Sequence, residues 1–386
     1  MLDPSKQSMP WVGKPAASMV MDDSGVMAMA GADALCEHME YAILTGRVDE
    51  RLPTIKEMCR LFRLSHCTVK KALERLERRQ LIAPHQGRGI AVNRIACGNP
   101  LFGKNIVFYM DVQRLGVPYY LNVFYQMRLL LQDSGCLIHL ATSAAQLERL
   151  PFVPDSMILV AVHDAAIWKI SERCCGRERL LRLDDSAGDI PVVGTDNFEG
   201  GRLAAEHLHR RGHRDVGVLA YDYGSSDAFF APRRRGFQAF ADEHGDFAVA
   251  HRAVTVADAA PGAATAARAA VADLFAARPG ITAVFAFTDK LALAVYAFCA
   301  TQGWSIPGRV SVVGFDDRDF APLLHPGLTT FREDAAAVAR GLRDAVVFSV
   351  SARTAGTAAE VATPDVKVAP VLVERDSVAD VPLGST

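Results

Sequence analysis

Strands that alternate with helices are the feature that most constrains the fold of this chain. Apolar runs typical of buried strands occur at 105–110, 137–141, 156–162, 191–194, 215–220, 283–287 and 310–315. Segments with helical patterning lie among them, at 119–133, 198–211, 233–244, 265–277 and 291–303. Such alternation is typical of parallel sheets with helices on both faces. We therefore predict an α/β body that binds ligands beyond the carboxyl ends of its strands.

Composition excludes several protein classes. The chain has 386 residues, of which 50% are hydrophobic and 22% charged, so it can form two or three domains with sizeable cores. It has no apolar run of about 18 residues, which predicts that no helix spans a membrane.

The 8 cysteines are irregularly spaced, which is typical of a reducing compartment. Residues 1–32 lack the apolar core of a signal peptide and are predicted to be a disordered leader, so we expect a cytoplasmic, nucleoid-associated protein.

The charge is concentrated in one segment. Residues 51–94 contain eleven Lys or Arg against three acids, which gives +8 and leaves −10 for the rest of a chain whose formal net charge is −2. A small basic module on a larger acidic body suggests a head that binds a polyanion. A solvated basic helix face would have the same composition, and the spacing of the residues decides between the two interpretations.

The spacing predicts three helices and a wing between residues 33 and 95. A first helix spans 33–46. Thr54 can cap a second helix, 55–62, with Glu57 as its capping-box partner. Ser65 can cap a third helix, whose inward residues Val69, Leu73 and Leu76 recur at spacings of four and three. Short strands at 81–82 and 90–92 flank a tight turn at 85–89. Together these elements predict a winged helix-turn-helix, followed by a linker at 96–104.

This geometry identifies candidate contacts with the major groove of DNA. Residues early on the third helix would meet base edges, Lys56 a phosphate, and the wing a phosphate or the minor groove. The predicted DNA-binding set is Thr54, Lys56, Ser65, His66, Thr68, Lys70, Lys71, Gly87, Arg88 and Gly89.

The head resembles the DNA-binding domain of the gluconate-repressor (GntR) family. The resemblance rests on residues 52–58, 64–76, 81–82 and 86–89 and covers about 60 residues. It implies that Lys56, His66, Thr68 and Lys70 occupy positions where the family contacts DNA. His66 replaces a more usual Arg, and Cys67 a common Thr, so the base preference is left open while the docking mode is not.

Acidic residues follow several predicted strands of the body. Asp111, Asp184, Asp289 and Asp316 each come directly after an apolar run, and Arg233 begins a helix. A single Asp at a strand end is more often a helix cap than a ligand contact. Four such carboxylates converging on one cleft, with an arginine, could instead hydrogen-bond a polyhydroxy ligand.

The body, residues 105–386, resembles the effector domain of the lactose-repressor (LacI/GalR) family, whose two-lobed fold is similar to that of periplasmic sugar-binding proteins. The matching stretches are 194–208, 211–214, 233–237, 285–289, 306–317, 326–330 and 373–377. The resemblance implies effector contacts from Asp111, Tyr119, Tyr120, Asp184, Arg233, Asp289 and Asp316. Thr288 replaces a usual Asn, which weakens any specific sugar assignment. The hinge helix of that family is absent, so coupling to DNA must follow another route.

Catalytic and metal chemistry find little support in the sequence. His207, His209 and His213 do not share a helix face, and adjacent Cys174 and Cys175 lack the spacer of a dithiol motif, so we predict no metal or cofactor. No Gly-x-Ser-x-Gly motif occurs. An enzyme with an appended DNA-binding head is thus disfavoured. A solute-binding transport protein is also disfavoured, since it needs a signal peptide and no basic head.

The sequence therefore predicts a bacterial transcriptional regulator rather than an enzyme. We expect a homodimer that binds a palindromic operator in double-stranded DNA, with half-sites about 34 Å apart or a multiple of that distance. A sugar or sugar-like effector would close the two lobes and release the DNA. The alternative is a corepressor-dependent regulator or an activator with a non-sugar effector, such as a purine-like metabolite.

Overall fold

The structure is a computed structural model, and it describes residues 19–21, 27–29, 31–44, 46–48, 51–85, 89–93, 96–184, 189–222, 230–255, 263–354 and 363–381. Within the predicted leader, β1 (Met19–Met21) pairs antiparallel with β2 (Met27–Met29). At these six residues the structure therefore differs from a wholly disordered leader. The remaining predicted leader residues, except 31 and 32, lie outside the described ranges.

The head has three helices and a small sheet, as predicted. Its elements are α1 (Ala32–Leu44), β3 (Arg51–Leu52), α2 (Ile55–Phe62), α3 (His66–Arg78), β4 (Ile82–His85) and β5 (Gly89–Val92). The sheet has three strands in the order β3-β5-β4, one more than predicted, because Arg51 and Leu52 pair with β5. Val69 and Leu76 of α3 are fully buried, so the apolar spacing does form the inner face of that helix.

Both predicted helix caps in the head are present. The Thr54 hydroxyl accepts a hydrogen bond from the Glu57 amide at 3.3 Å, and the Glu57 carboxylate accepts one from the Thr54 amide at 2.7 Å. The Ser65 hydroxyl accepts from the Thr68 amide at 3.1 Å. These caps satisfy amides that the first turn of each helix leaves without partners, and so fix where α2 and α3 begin.

The first lobe of the body is a parallel sheet of six strands with helices on both sides. Its elements, in chain order, are β6 (Asn105–Tyr109), α4 (Val112–Leu115), α5 (Pro118–Leu131), β7 (Leu137–Ala141), α6 (Ala144–Glu148), β8 (Ser156–Val160), α7 (Ala165–Cys175), β9 (Leu180–Leu183) and β10 (Val192–Thr195). The sheet order is β16-β10-β9-β8-β6-β7, in which β16 (Val366–Val368) comes from near the end of the chain and β7 lies at the other edge.

The second lobe repeats this architecture. Its elements are α8 (Asn197–Arg210), β11 (Asp215–Asp222), α9 (Phe230–Glu243), β12 (Ala248–Thr255), α10 (Ala263–Ala277), β13 (Ala283–Ala286), α11 (Asp289–Gln302), β14 (Ser311–Phe315) and β15 (Thr329–Arg332). The chain then returns to the first lobe through α12 (Ala335–Thr354) and β16 (Val366–Val368), and ends in the second with β17 (Val371–Val373). The sheet order is β12-β11-β13-β14-β15-β17, with only β17 antiparallel.

The chain crosses between the lobes three times. The crossovers follow β10, β15 and β16. Two of them are joined directly, because the Asp196 amide donates to the Val368 carbonyl at 2.8 Å. Residues near these crossovers therefore face both lobes, which is where a two-lobed parallel fold places its ligand cleft.

Glycines bring α8 and α9 unusually close. A Cβ on Gly201 would lie 1.9 Å from the carbonyl oxygen of Arg233, and one on Gly236 would lie 1.8 Å from that of Phe198. Only residues without a side chain permit this contact. This contact between α8 and α9 fixes the position of Arg233, which is a residue of α9 near the crossovers.

Candidate functional site

Four charged side chains meet between the lobes. Asp184 follows β9, Asp316 follows β14, Glu333 follows β15, and Arg233 lies in the first turns of α9. Arg233 interacts electrostatically with all three acids. We call these four residues the interlobe cluster. The carboxyl ends of the strands bring the three acids together, as the strand-end pattern predicts for Asp184 and Asp316.

Arg233 is almost fully buried, and its neighbours hold the guanidinium in place. Its Nε and Nη2 donate to the Asn197 side-chain oxygen at 3.1 and 2.5 Å, and its Nη1 donates to the Phe287 carbonyl. The guanidinium carbon lies 3.3 Å from the centre of the Phe315 ring. Hydrogen bonds in the guanidinium plane and a ring against its face leave this side chain little freedom.

Two carboxylate oxygens of the interlobe cluster are buried without a hydrogen-bond partner among the described residues. These are Asp184 Oδ2 and Glu333 Oε1. The other Asp184 oxygen accepts from the Thr195 amide at 2.7 Å. A buried acceptor without a donor costs free energy, so each of these oxygens is suited to a donor from a bound molecule.

Burial shifts the titration of the interlobe cluster. It raises the pKa of Asp184, Asp316 and Glu333 to about 7 each, because the charged carboxylates lose solvation. Burial likewise lowers the pKa of Arg233 to about 10, although the neighbouring acids oppose this shift. The cluster can therefore exchange protons near neutral pH, and a hydroxyl-bearing ligand would compete with those protons for the carboxylate oxygens.

Two tyrosines at the start of α5 adjoin the interlobe cluster. The Tyr119 hydroxyl lies 3.1 Å from the Thr195 hydroxyl, and the Tyr119 and Tyr120 ring centres are 5.2 Å apart. Burial, and next the negative charge of Asp184, raise the pKa of both phenols well above the usual value. Both stay neutral and provide aromatic surface beside the carboxylates.

Asp289 and Asp111 make hydrogen bonds within the protein. The two Asp289 oxygens accept from the Thr330 hydroxyl at 2.6 Å and the Arg318 amide at 2.7 Å. Asp111 Oδ1 accepts from the Arg114 amide at 2.8 Å, at the start of α4. Asp111 therefore has the helix-cap role that an acid at a strand end often has. Their predicted effector contacts remain predictions.

Glu333 is the member of the interlobe cluster that the sequence analysis missed. It follows the buried strand β15, so the reasoning that selected Asp184 and Asp316 applies to it equally. The signal was therefore present in the sequence. In the structure, Glu333 lies at a crossover close to Asp316. Burial, and next the negative charge of Glu333, raise the pKa of Asp316.

The predicted DNA-binding residues of α2 and α3 lie on the outside of the head. Lys56, His66, Lys70 and Lys71 are exposed, as is Ser65, whose hydroxyl caps α3. Lys70 Nζ lies 4.0 Å from Glu74, one turn further along the helix. Thr54 is exposed and caps α2, and Thr68 is partly buried. Gly87 and Arg88 lie outside the described residues, whereas Gly89 begins β5 and pairs with His85.

Among the described residues, no helix is long and apolar enough to cross a membrane. Across the same ranges, no group of three or more His, Cys, Asp or Glu side chains is arranged to hold a metal ion.

Two protein-family descriptions match the chain. Residues 32–92 match the gntR family of bacterial regulatory proteins, and residues 205–378 match the periplasmic binding protein-like domain. The first match covers the head and the second covers most of the second lobe. Their order along the chain agrees with the two resemblances found in the sequence.

Curated relatives and solved structures agree with these matches. The chain is 32% identical over 148 residues to the transcriptional regulator GalS of Salmonella typhimurium, which covers 38% of this chain and 42% of that relative. It is 26% identical over 311 residues to the arabinose metabolism transcriptional repressor of Geobacillus stearothermophilus, covering 75% and 83% of the two chains. A LacI transcriptional regulator from a Rhodococcus species superimposes with a TM-score of 0.57 at 23% identity, covering 72% of this chain and 99% of that chain. The match to GalS thus spans about two fifths of that relative's length, whereas the match to the arabinose repressor spans 83% of that relative.

Proposed function

We propose that this chain, which joins a gntR-family DNA-binding domain to a periplasmic-binding-protein-like domain, is a ligand-responsive transcriptional repressor. The observation that carries the proposal is the pairing of an exposed basic helix-turn-helix with an interlobe cluster in which two buried carboxylate oxygens have no hydrogen-bond partner among the described residues. The head binds operator DNA, and the body binds the effector. No step of this function needs catalysis, and it takes place in the cytoplasm, where the DNA is.

The interlobe cluster supports a sugar or sugar-like effector. Asp184 Oδ2 and Glu333 Oε1 can accept from two ligand hydroxyls, and Arg233 carries positive charge beside them. Tyr119 and Tyr120 add aromatic surface, against which the apolar face of a sugar ring can pack. Several acceptors beside an aromatic surface suit a compact polyol better than a flat heterocycle.

An apolar surface on the first lobe supports a homodimer. Leu121, Tyr125 and Leu129 are 40%, 57% and 43% exposed, and they follow one face of α5 at intervals of four residues. Leu137, on edge strand β7, is 58% exposed. Apolar side chains grouped in this way mark association surfaces on soluble proteins. A dimer would present two heads to a palindromic operator.

Fluorescence anisotropy with the promoter region upstream of the gene tests DNA binding. The Lys71→Ala variant should weaken binding and lower the salt slope by about one. Lys169→Ala, which changes an exposed lysine of the body, is the matched control. Loss of sequence preference in the wild type at moderate salt would refute the repressor function.

Isothermal titration with D-galactose, L-arabinose, D-ribose and cellobiose tests the effector class. A sugar that binds the wild type should bind Asp184→Asn and Glu333→Gln more weakly, and it should release promoter DNA from the wild type. Turnover of the sugar would instead indicate an enzyme. A sugar that strengthens DNA binding would show that the effector is a corepressor.

A further inference from the structure

The segment between head and body is attached to both. Residues 96–104, predicted as a linker, form successive turns: the Phe102 amide donates to the Asn99 carbonyl at 3.2 Å, and the Lys104 amide to the Leu101 carbonyl at 3.1 Å. Leu101 is buried in the first-lobe core around α5, whereas Phe102 is buried in the core of the head. Two consecutive side chains thus belong to the cores of two different domains.

On the head side, this segment is bonded to the end of α1. The Gly98 amide donates to the Ile43 carbonyl at 2.9 Å, and the Cys97 thiol donates to the Val48 carbonyl at 3.5 Å. A Cβ on Gly46 would lie 3.4 Å from the Gly98 Cα, so the two backbones are in contact. The segment therefore follows any movement of α1.

On the body side, the same segment is bonded to the turn that ends α5. The Asn99 side-chain amide donates to the Ser134 carbonyl at 2.7 Å. The Gly103 amide donates to the Gly135 carbonyl at 3.1 Å. The Phe102 ring lies against Gly135 so closely that a Cβ there would be 2.6 Å from it. We call Asn99, Phe102, Ser134 and Gly135 the clasp.

Helix α5 connects the clasp with the interlobe cluster. Its first turn holds Tyr119, whose hydroxyl lies 3.1 Å from the Thr195 hydroxyl, and the Thr195 amide donates to Asp184 Oδ1 at 2.7 Å. Its last residue, Leu131, accepts hydrogen bonds from the Ser134 amide and hydroxyl at 3.0 and 2.7 Å. Fourteen helical residues span about 21 Å, so a rigid element reaches from the crossovers to the head.

A second helix reinforces this connection. Helix α12 begins just after Glu333 and packs along α5. Both helices thus start beside the interlobe cluster and lie in one apolar core. A change at the crossovers that moves either helix also moves the other, because packed interiors transmit displacement instead of absorbing it.

We propose that α5 and the clasp form the route by which the state of the interlobe cluster sets the position of the head on DNA. This inference rests on the proposed function, because it needs a head that binds DNA and a body that binds an effector. A helix that begins in the binding cleft and ends against the head takes the place of a hinge helix, which the described residues between β5 and β6 do not form. By reciprocity, DNA bound to the head must also act on the cleft.

Calorimetric unfolding of the full chain tests the clasp without DNA or effector. In the wild type, head and body should unfold in one cooperative transition. The Asn99→Ala variant removes the bond to Ser134, and Gly135→Ala forces a Cβ into the Phe102 ring at a position with φ of +70°. Each variant should separate a head transition from the body transition. Asn122→Ala, on the exposed face of α5, should not. Separate transitions in the wild type, or one transition in both clasp variants, would overturn the clasp.

Amide hydrogen exchange with and without the promoter duplex tests the route itself. In the wild type, DNA should slow exchange in α3 and also change it at residues 119–123 and 330–333. In Asn99→Ala, the change in α3 should persist while the changes near the cluster are lost. Protection confined to α3 in the wild type would overturn the route and leave the DNA-binding function intact. Absence of any DNA-dependent change would instead refute the proposed function.

Discussion

The Arg233 guanidinium carbon lies 3.3 Å from the centre of the Phe315 ring, and this contact joins two elements that are far apart in the sequence. Arg233 comes from α9, whereas Phe315 ends the central strand β14 just before Asp316. The ring therefore fixes a buried cation next to a partly buried carboxylate. That relationship leads to the first of four testable predictions.

Replacing Arg233 should destabilise the second lobe severely. Arg233→Ala would leave Asp184, Asp316 and Glu333 without the cation they surround, which costs about 3–5 kcal/mol in the free energy of unfolding. The loss should be larger at about pH 8 than at about pH 6, because the acids can take up protons at the lower pH. Urea unfolding measures it. Arg235→Ala, which removes an exposed arginine two residues away, should change stability by less than about 0.5 kcal/mol. Equal losses in both variants would contradict this role of Arg233.

Stability of the ligand-free protein should decrease as the pH rises toward neutrality and above. The pKa values of Asp184, Asp316 and Glu333 are about 7 in the folded protein and about 4 in the unfolded chain. Between these values the folded state binds more protons, so the stability from the protonated acids, which is complete below about pH 4, is lost as the pH rises through about 7.

An opposing contribution comes from buried histidines such as His213, and a variant separates it from the contribution of the acids. Burial lowers the pKa of His213 to about 4, so its contribution is lost as the pH falls below about 6.5. Urea midpoints measured from about pH 6.5 to about pH 8 therefore report mainly on the acids. The double variant D184N/E333Q should show a flatter profile over this range. A wild-type profile that rises with pH there would contradict the prediction.

The close contact of α8 with α9 should not tolerate a methyl group. In Gly201→Ala the new Cβ would lie 1.9 Å from the Arg233 carbonyl oxygen, so the helices must separate. Overpacking of this kind costs about 1–3 kcal/mol, and here it also displaces Arg233. Gly245→Ala is the matched control, since nothing lies within 4 Å of its Cβ position. Thermal unfolding compares the two variants, and equal stability would show that the helices can adjust without cost.

The apolar face of α5 should control self-association. Tyr125→Glu places a charge at the most exposed residue of that row, which should shift the protein from dimer to monomer through the cost of burying it. Sedimentation velocity measures the change. Lys169→Glu, on an exposed face of α7, should leave the dimer intact. A wild type that is monomeric at micromolar concentration would rule out this surface as a dimer interface.

Local patterns predicted much of this structure. The spacing of Thr54 and Glu57 predicted a capping box, which is present, and the spacing of Val69, Leu73 and Leu76 predicted the buried face of α3. Strand–helix alternation predicted the parallel sheets. These inferences succeed because caps and apolar periodicity act over a few residues, which a sequence shows directly.

The functional residues were only partly predictable. Asp184 and Asp316 were selected because acids after parallel strands meet at one edge, and both do belong to the interlobe cluster. Glu333 follows the same rule and was missed. Asp289 also follows it, yet both its oxygens bond within the protein. The rule places a carboxylate near the cleft, but it does not say whether neighbouring groups already satisfy it.

The sequence by itself determined that the head is a winged helix-turn-helix, that the body is an α/β fold with parallel sheets, and that the head precedes the body. Each of these properties depends on local spacing and charge. Only the tertiary structure decided which acids keep unsatisfied oxygens, how Arg233 is held, and that Leu101 and Phe102 lie in different cores. These properties arise from contacts between residues tens to hundreds of positions apart, such as the Asn99 side chain with the Ser134 carbonyl or the Asp365 carboxylate with the Val192 amide. Their energies depend on burial and on the direction of each side chain, and a linear pattern encodes neither of these.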